Sequence, residues 1–592
     1  MAAGGSEQVT GHNKKKAIKK NVFDYIVIGA GTAGGVIAKK LTDDKQTSVL
    51  VLEPGINSTT QLSSPNVLEA IPLSTDNKYA LNLLSIAEPS IQRQLTTING
   101  RVIGGSSEVN YMLAIRGSRE LYDRWAALVG SKQWSYNQVR SLFIENETYT
   151  GQTQNPNERG RKGPIFVRQQ HIPSNGLIQT LANATAKVLG IPVVEDYNTG
   201  VRDCTFYKNQ FTQKEVGGRI ARSSTATGYL NESIVTQGNE RHPDEVGVGK
   251  RKLVIFAKTT VNKIVFRKKE GSFVAVGVDY VKDGVSHRSF ARKGVIVSAG
   301  FFSSVILQRS GIGKSRDLIR AGIAPLIENP NVGYHLQTHA YVGLGVEVDT
   351  SQILPIAAAD PNQPIALGAF KSEHRKSSEG RRLQLQGVPA PIFLPAQEVA
   401  SNGWELDVTK PVNIMSFGIV DLNPRSRGTI MAAHSDPEAL PSFTFNPLQP
   451  GTNDLDFMVD QYINLYNIIK EARRKNSGIH KVVYPPEAIF TIPDEEEKRR
   501  QLSGYARASY SNFYHYGGQC KMAKSVRDGV VNENLDVFGT KNLKVADLSV
   551  SPILPDGNTS IPAQMIGLNA VRIIQNNSRP YVATDKDFVE AE

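Results

Sequence analysis

From Tyr25 to Ile28 the chain is continuously apolar and mostly β-branched, the pattern of a strand buried on both faces. A glycine-rich turn follows, Gly29-Ala30-Gly31-Thr32-Ala33-Gly34, and the apolar positions then recur at helical spacing as far as Leu41. A second apolar run, Val49 to Leu52, stops at Glu53. Strand, turn, helix and strand in that order predict a βαβ unit with a parallel sheet. Much later, Leu253 to Phe266 reads as a pair of strands. The first twenty residues, MAAGGSEQVTGHNKKKAIKK, have no apolar face at all. Residues 1–21 are therefore expected to be a disordered basic tail. They lack the apolar segment of a secretory signal, and no run in the chain approaches the roughly 18 apolar residues of a membrane span. Both points lead us to expect an intracellular, cytoplasmic protein.

Length and charge narrow this picture only a little. A chain of 592 residues exceeds one compact core and calls for two or three domains. Lys and Arg outnumber Asp and Glu by 68 to 56, giving a net charge of +12. Part of that excess sits in the basic tail, and no aromatic–basic motif accompanies the rest, so it reads as a solvated surface. The run Glu496-Glu497-Lys498-Arg499-Arg500 reads as one such solvated helix face. Two cysteines, Cys204 and Cys520, are too few for a disulfide framework and too scattered for a thiolate metal site. His335 and His339 have no carboxylate or Cys to complete a ligand set, so no metal site is expected; packing or hydrogen bonding at a domain junction is the plainer role.

The glycine turn has a specific physical reading. Gly29 allows the tight turn, Gly31 lets backbone approach a pyrophosphate, and Gly34 lets the helix pack on the strand. Thr32 and Ala33 lie at the helix N-terminus, where free N–H groups and the positive dipole end face an anion. Glu53 comes at the spacing of a ribose-hydroxyl acceptor, just past twenty residues on. This unit is expected to bind a dinucleotide, but by itself it does not separate FAD from NAD.

The segment Ile98 to Leu128, INGRVIGGSSEVNYMLAIRGSRELYDRWAAL, carries Gly104, Gly105, Ser106, Ser107, Asn110, Met112, Arg116, Gly117, Tyr122, Asp123 and Trp125 in a spacing that resembles the glucose–methanol–choline (GMC) oxidoreductases. Further landmarks follow in that family's order. Val261 matches a position whose backbone meets adenine, and Gly294 to Gly313 resembles a second family signature, with Ser303-Ser304 in place of its Ser-Pro. Asn331 to Ala340 resembles VGxNLQDH, with His335 and Thr338 as departures and His339 retained. Asn542 to Ile574 resembles the closing stretch of the nucleotide-binding domain. The stretch YHYGGQCKM, Tyr514 to Met522, resembles the family's H-x-x-G-T-C-x-M-G, with Gln519 for Thr and Ala523 for the last Gly. On residues alone His515 is either a packed core histidine or a base; the resemblance makes it the general base, with Asn558 in DGNTSIP as its partner.

The resemblance implies an α/β protein with a Rossmann-like FAD-binding domain and an α+β substrate domain built on an antiparallel sheet. The expected FAD-binding domain takes residues 22–165, 250–345 and 525–580, and the substrate domain 166–249 and 346–524, with 581–592 an acidic tail. The implied cofactor is non-covalent FAD, since no histidine sits in the Ile98–Leu128 segment. Gly29, Gly31, Thr32, Ala33, Gly34, Glu53, Arg101, Gly104, Gly105, Ser106, Asn110, Met112, Val261, Asp547, Thr559 and Ser560 are its expected contacts. The implied reaction is oxidation of the CH–OH group of a small-molecule alcohol, by hydride transfer to flavin N5, with oxygen or another electron acceptor restoring the cofactor. A homodimer is compatible with this reading. Two alternatives stay open: a non-redox member of hydroxynitrile-lyase type, and a family fold recruited as a structural virion protein, where nucleic acid becomes a partner.

Overall fold

The computed structural model describes residues 21–63, 72–170, 176–360, 365–374, 378–404, 412–577, 581–589 and 591. The expected basic tail lies outside them except for Asn21. The predicted βαβ unit forms as β1 (Val22–Ile28), α1 (Gly34–Leu41) and β2 (Val49–Leu52). β1 and β2 pair in parallel from Tyr25 and Val49 to Ile28 and Leu52. All four residues of β2 are buried, which is why the run needed no polar alternation.

β3 (Leu253–Phe256) adds in parallel beyond β2, and the long strands β4 (Thr259–Lys269), β5 (Ser272–Lys282) and β6 (Val285–Val297) extend the other side. β6 lies parallel to β1, while β5 runs antiparallel to both β6 and β4. With the short strands Glu245–Val246, Thr540–Lys541 and Leu543–Val545, nine described strands make one mixed sheet. Three distant stretches of chain thus share a single core, in which Val27, Leu50, Ile255 and Ile296 are fully enclosed.

A second sheet is antiparallel throughout. It contains Cys204–Phe206, β7 (Gln337–Val348), β8 (Leu367–Lys371), β9 (Leu383–Val388), β10 (Ile414–Asp421), β11 (Ile479–Tyr484) and β12 (Ser511–Gly517). Its two faces separate by the period-2 rule. Val342, Leu344 and Val346 of β7, Leu383 and Leu385 of β9, and Phe417 and Ile419 of β10 point one way. They pack under the helices α2 (Gly176–Leu189), α3 (Asp454–Arg473) and α4 (Glu495–Ser509), which contribute Leu181, Tyr462 and Leu502. The alternate positions, among them Tyr341, Gln386 and Val388, line a cavity on the other side.

One buried ion cluster ties this helix layer to its sheet. Arg382, just before β9, reaches Asp421 at 3.2 Å, Asp454 at 3.1 Å and Glu373 at 2.7 Å. Burial pushes the Asp421 carboxyl up to about 6, against the pull of Arg382. The C-terminal segment, expected as an acidic tail, instead carries a short helix, Asp585–Val589, laid on the first sheet. Its Phe588 ring sits 4.8 Å from that of Phe290, and Asp587 pairs with Arg267. A single buried aromatic among acids carries no periodic signal, so the pattern of the chain does not reveal it.

Removing Arg382 leaves two facing carboxylates buried without a counter-charge. Arg382→Ala is expected to destabilise the fold by about 3–5 kcal/mol. A drop in thermal unfolding temperature checks it, and an unchanged midpoint contradicts the clamp.

Candidate active site

The cavity has a volume of about 810 Å³ and takes its lining from both sheets. Its first part is built on the glycine turn after β1. Gly29 has φ 97°, and a Cβ there would lie 2.6 Å from the Ser298 carbonyl oxygen. A Cβ on Gly34 would strike the Gly29 carbonyl oxygen at 2.0 Å, so helix and turn meet with no side chain between them. Gly31 differs from both. A Cβ there would meet only the Gly105 Cα, at 3.8 Å, and would occupy open cavity.

The second glycine turn closes over the first. The Gly104 N–H donates to the Ala30 carbonyl at 2.8 Å, and Gly105, with φ 56°, brings its backbone against Gly31. Glu53 locks the same junction by accepting from the N–H groups of Ala30 and Gly55, each at 2.9 Å. Burial raises its carboxyl to about 7, opposed by those two donors and by Arg101. On the far side, Asp547 follows the strand Leu543–Val545 and accepts from the Gly300 N–H at 2.8 Å and the Ser303 hydroxyl at 2.6 Å. The last long helix, α5 (Ser560–Asn576), begins at the cavity wall, with Thr559 and Ser560 both lining it. Two glycine turns, a helix N-terminus, Arg101 and a glycine that leaves space form a cradle suited to an elongated, anionic dinucleotide.

The second part holds the histidine. Opposite the single residue His339 on β7, β12 carries three residues, Phe513, Tyr514 and His515, because the pairing jumps from Thr338–Tyr516 to Ala340–Asn512. This bulge requires Tyr514 to adopt φ 58°, which for a non-glycine costs roughly 1–3 kcal/mol. The bulge turns His515 inward. Its Nδ1 lies 3.0 Å from Nδ1 of His339, and its Nε2 lies 3.3 Å from Nδ2 of Asn558. Asn558 is oriented in turn by Gln384, whose Nε2 donates to Oδ1 at 3.0 Å.

That chain of contacts assigns the protons. Asn558 spends its oxygen on Gln384 and can only donate to His515, so His515 Nε2 is the unprotonated nitrogen. The His515 proton therefore sits on Nδ1 and is donated to Nδ1 of His339. Burial, then the neighbouring His339, holds the His515 pKa well below the usual histidine range. Burial likewise pushes His339 down to about 3.

Of the residues expected at the site, His515 and Asn558 lie together on the cavity wall. Gly29, Gly31, Thr32, Ala33, Glu53, Arg101, Gly105, Ser106, Asn110, Met112, Val261, Asp547, Thr559 and Ser560 also line it. Gly34 and Gly104 do not; a Cβ on Gly104 would collide with Glu108 and Ala226, so both glycines serve packing. His339, expected to pack or hydrogen-bond, bonds His515 at 3.0 Å, and His335 bonds Asn331 at 3.1 Å. Gln384 and Arg222 escape notice in the sequence because no local motif marks them. Arg222 is buried and donates to the Asn110 carbonyl and Oδ1, both at 2.8 Å, fixing the loop beside the cavity. Gln519, a departure from the family pattern, donates to the Gly300 and Phe301 carbonyls at 3.0 and 3.2 Å, so it repacks a turn behind the site.

Two family models described as GMC oxidoreductase match residues 23–341 and 424–567. An oxygen-dependent choline dehydrogenase of Chromohalobacter salexigens is 29% identical over 92% of this chain and 93% of its own length. The mitochondrial choline dehydrogenase of Homo sapiens is 28% identical over 94% and 90%. Pyridoxine 4-oxidase from Mesorbium loti shares the fold with a TM-score of 0.75 at 21% identity, covering 94% of this chain and 100% of that one.

A side chain at Gly31 would fill the space the cradle leaves open. Gly31→Val is expected to yield a folded protein that purifies colourless, with less than about a tenth of the wild-type flavin absorbance, a loss of about 1.4 kcal/mol or more in binding. A fully yellow variant contradicts the cradle.

Proposed function

The chain belongs to the GMC oxidoreductase family, and we propose that it oxidises the CH–OH group of a small-molecule alcohol, with FAD as cofactor and His515 as general base. The observation that carries this reading is the pairing of His515 and Asn558 at the wall of a cavity whose other part is a dinucleotide cradle. The nine-stranded sheet is the natural body of the cofactor domain and the antiparallel sheet that of the substrate domain. Gly31, Gly105, Glu53 and Asp547 would hold the cofactor along the cradle, and Thr559 and Ser560 would meet it at the end of α5. The chemistry FAD supplies when bound is an acceptor for the hydride that leaves the carbinol carbon as the alcohol becomes a carbonyl.

The protein's own part is to place the alcohol and take its proton. Asn558 Nδ2 donates to an oxygen beside His515 and so orients the hydroxyl without adding charge. Nε2 of His515, held at rest by the Asn558 N–H, accepts the hydroxyl proton once the hydroxyl takes that donor's place. His339 acts through His515: its Nδ1 accepts the Nδ1 proton and holds the ring in the tautomer whose Nε2 lone pair faces the cavity. The wall beside this proton transfer is aromatic and aliphatic. A structural virion protein has no need of this arrangement, and nothing in the site favours that alternative or the lyase.

His515→Ala is expected to keep its flavin while the rate of bleaching by alcohol falls by roughly 10²–10⁴-fold. Bleaching at the wild-type rate rules out the base assignment. The pH dependence has a definite sign. Because burial lowers the His515 pKa, the neutral base persists below the ordinary value of 6.5. The acid limb of kcat/KM for the free enzyme should therefore lie below pH 6.5; a limb at or above that value contradicts the buried site.

A further inference from the structure

Charge is distributed unevenly along the cavity. Its charged lining side chains are Glu53, Arg101, Arg309, Glu438 and Asp547. Glu53 bonds the first glycine turn, and Arg101 acts on Glu53. Arg309 donates to the Val261 carbonyl at 3.0 Å and to the carbonyl of Pro437, the residue before Glu438, at 2.9 Å. Asp547 bonds the Gly300 N–H. None of the three lining carboxylates contacts His515, whose hydrogen-bond partners are His339 and Asn558.

The part that holds His515 is walled by an aromatic and aliphatic cluster. Leu113, Ile365, Val388 and Phe393 are buried together, with Tyr341 and Phe513 packed against them. The Phe513 ring lies 5.0 Å from the His515 ring, so the apolar wall begins at the base itself. Tyr341 meets Phe393 edge to face at 5.3 Å and Phe513 at 6.0 Å, which leaves the rings braced rather than free to rearrange. The polar side chains here, Gln386, Asn558, His515 and the hydroxyl-bearing Tyr111, Tyr341 and Tyr514, are uncharged.

We propose that the substrate is an uncharged alcohol with a bulky apolar body, aromatic or branched aliphatic, and that a quaternary-ammonium alcohol is rejected. This rests on the oxidoreductase reading above and names its substrate class. The physical reason is desolvation. Moving an unpaired cation out of water is costly, and an aromatic face without a carboxylate beside it returns only part of that cost. An apolar body of the same shape meets no such penalty and is favoured by the surface it buries.

The test uses two alcohols of one shape, choline and 3,3-dimethylbutan-1-ol, in which neutral carbon replaces the charged nitrogen, with benzyl alcohol as a third. Each is mixed without oxygen with the flavin-loaded enzyme, and both bleaching and the visible difference spectrum on binding are recorded. The neutral isostere and benzyl alcohol are expected to bleach the flavin with a second-order rate constant at least about 100-fold above that of choline, two decades of discrimination. Choline equal to or better than its isostere overturns the proposal and leaves the oxidoreductase reading standing. Saturable binding of the neutral alcohols, without bleaching and without choline binding, upholds the ligand class and removes the oxidation reading. A spectrum that none of the three perturbs overturns the proposal.

Discussion

Two buried imidazoles with their Nδ1 atoms 3.0 Å apart set the terms for the rest of this cavity. Neither ring can hold a full charge cheaply in such surroundings, since burial lowers both pKa values. One proton between the two facing nitrogens satisfies both. Asn558 then settles which ring carries it, because it presents N–H groups rather than an oxygen to Nε2. The result is a base that is neutral and correctly protonated on its far side, with Asn558 holding its Nε2 lone pair until a ligand hydroxyl takes that place. The energetic cost is carried by the left-handed backbone at Tyr514 and by the bulge that interrupts β12.

The same sheet serves stability and chemistry on opposite faces. On one, Val342, Leu344 and their neighbours bury under helices that Arg382 clamps in place. On the other, His339, Tyr341, Gln384 and Gln386 sit at alternate positions of β7 and β9 and converge on His515 and Asn558. A one-residue slip of either strand would exchange these sets. The geometry of the base is therefore fixed by the packing of a core on the far side of the sheet, and the cradle meets it from a sheet assembled out of three distant stretches of chain.

How much of this is legible in the sequence depends on how local the cause is. The βαβ unit can be read directly, because buried parallel strands are uniformly apolar and the turn must be glycine. Gly34 can be assigned to packing for the same reason. Glu53 is found by spacing, but its lock on the Ala30 and Gly55 N–H groups shows only in three dimensions. His515 and Asn558 are recognised by resemblance; nothing in their neighbours predicts a three-residue bulge. His339, Gln384 and Arg222 act on residues 176, 174 and 112 positions away, so no window of sequence contains both members of a pair. Phe588 is missed because one aromatic residue in an acidic segment has no period.

The most direct test of the histidine pair changes His339, which does not line the cavity, and reads the chemistry at His515. In His339→Leu the acceptor for the Nδ1 proton is lost, and kcat for flavin reduction by alcohol should fall by about 10²–10⁴-fold with KM and flavin content near the wild type. His339→Asn, whose Oδ1 can take the place of Nδ1, should recover much of that loss. If His339→Leu reduces its flavin at the wild-type rate, or if leucine and asparagine are equally poor, His515 does not depend on its buried partner for its tautomer.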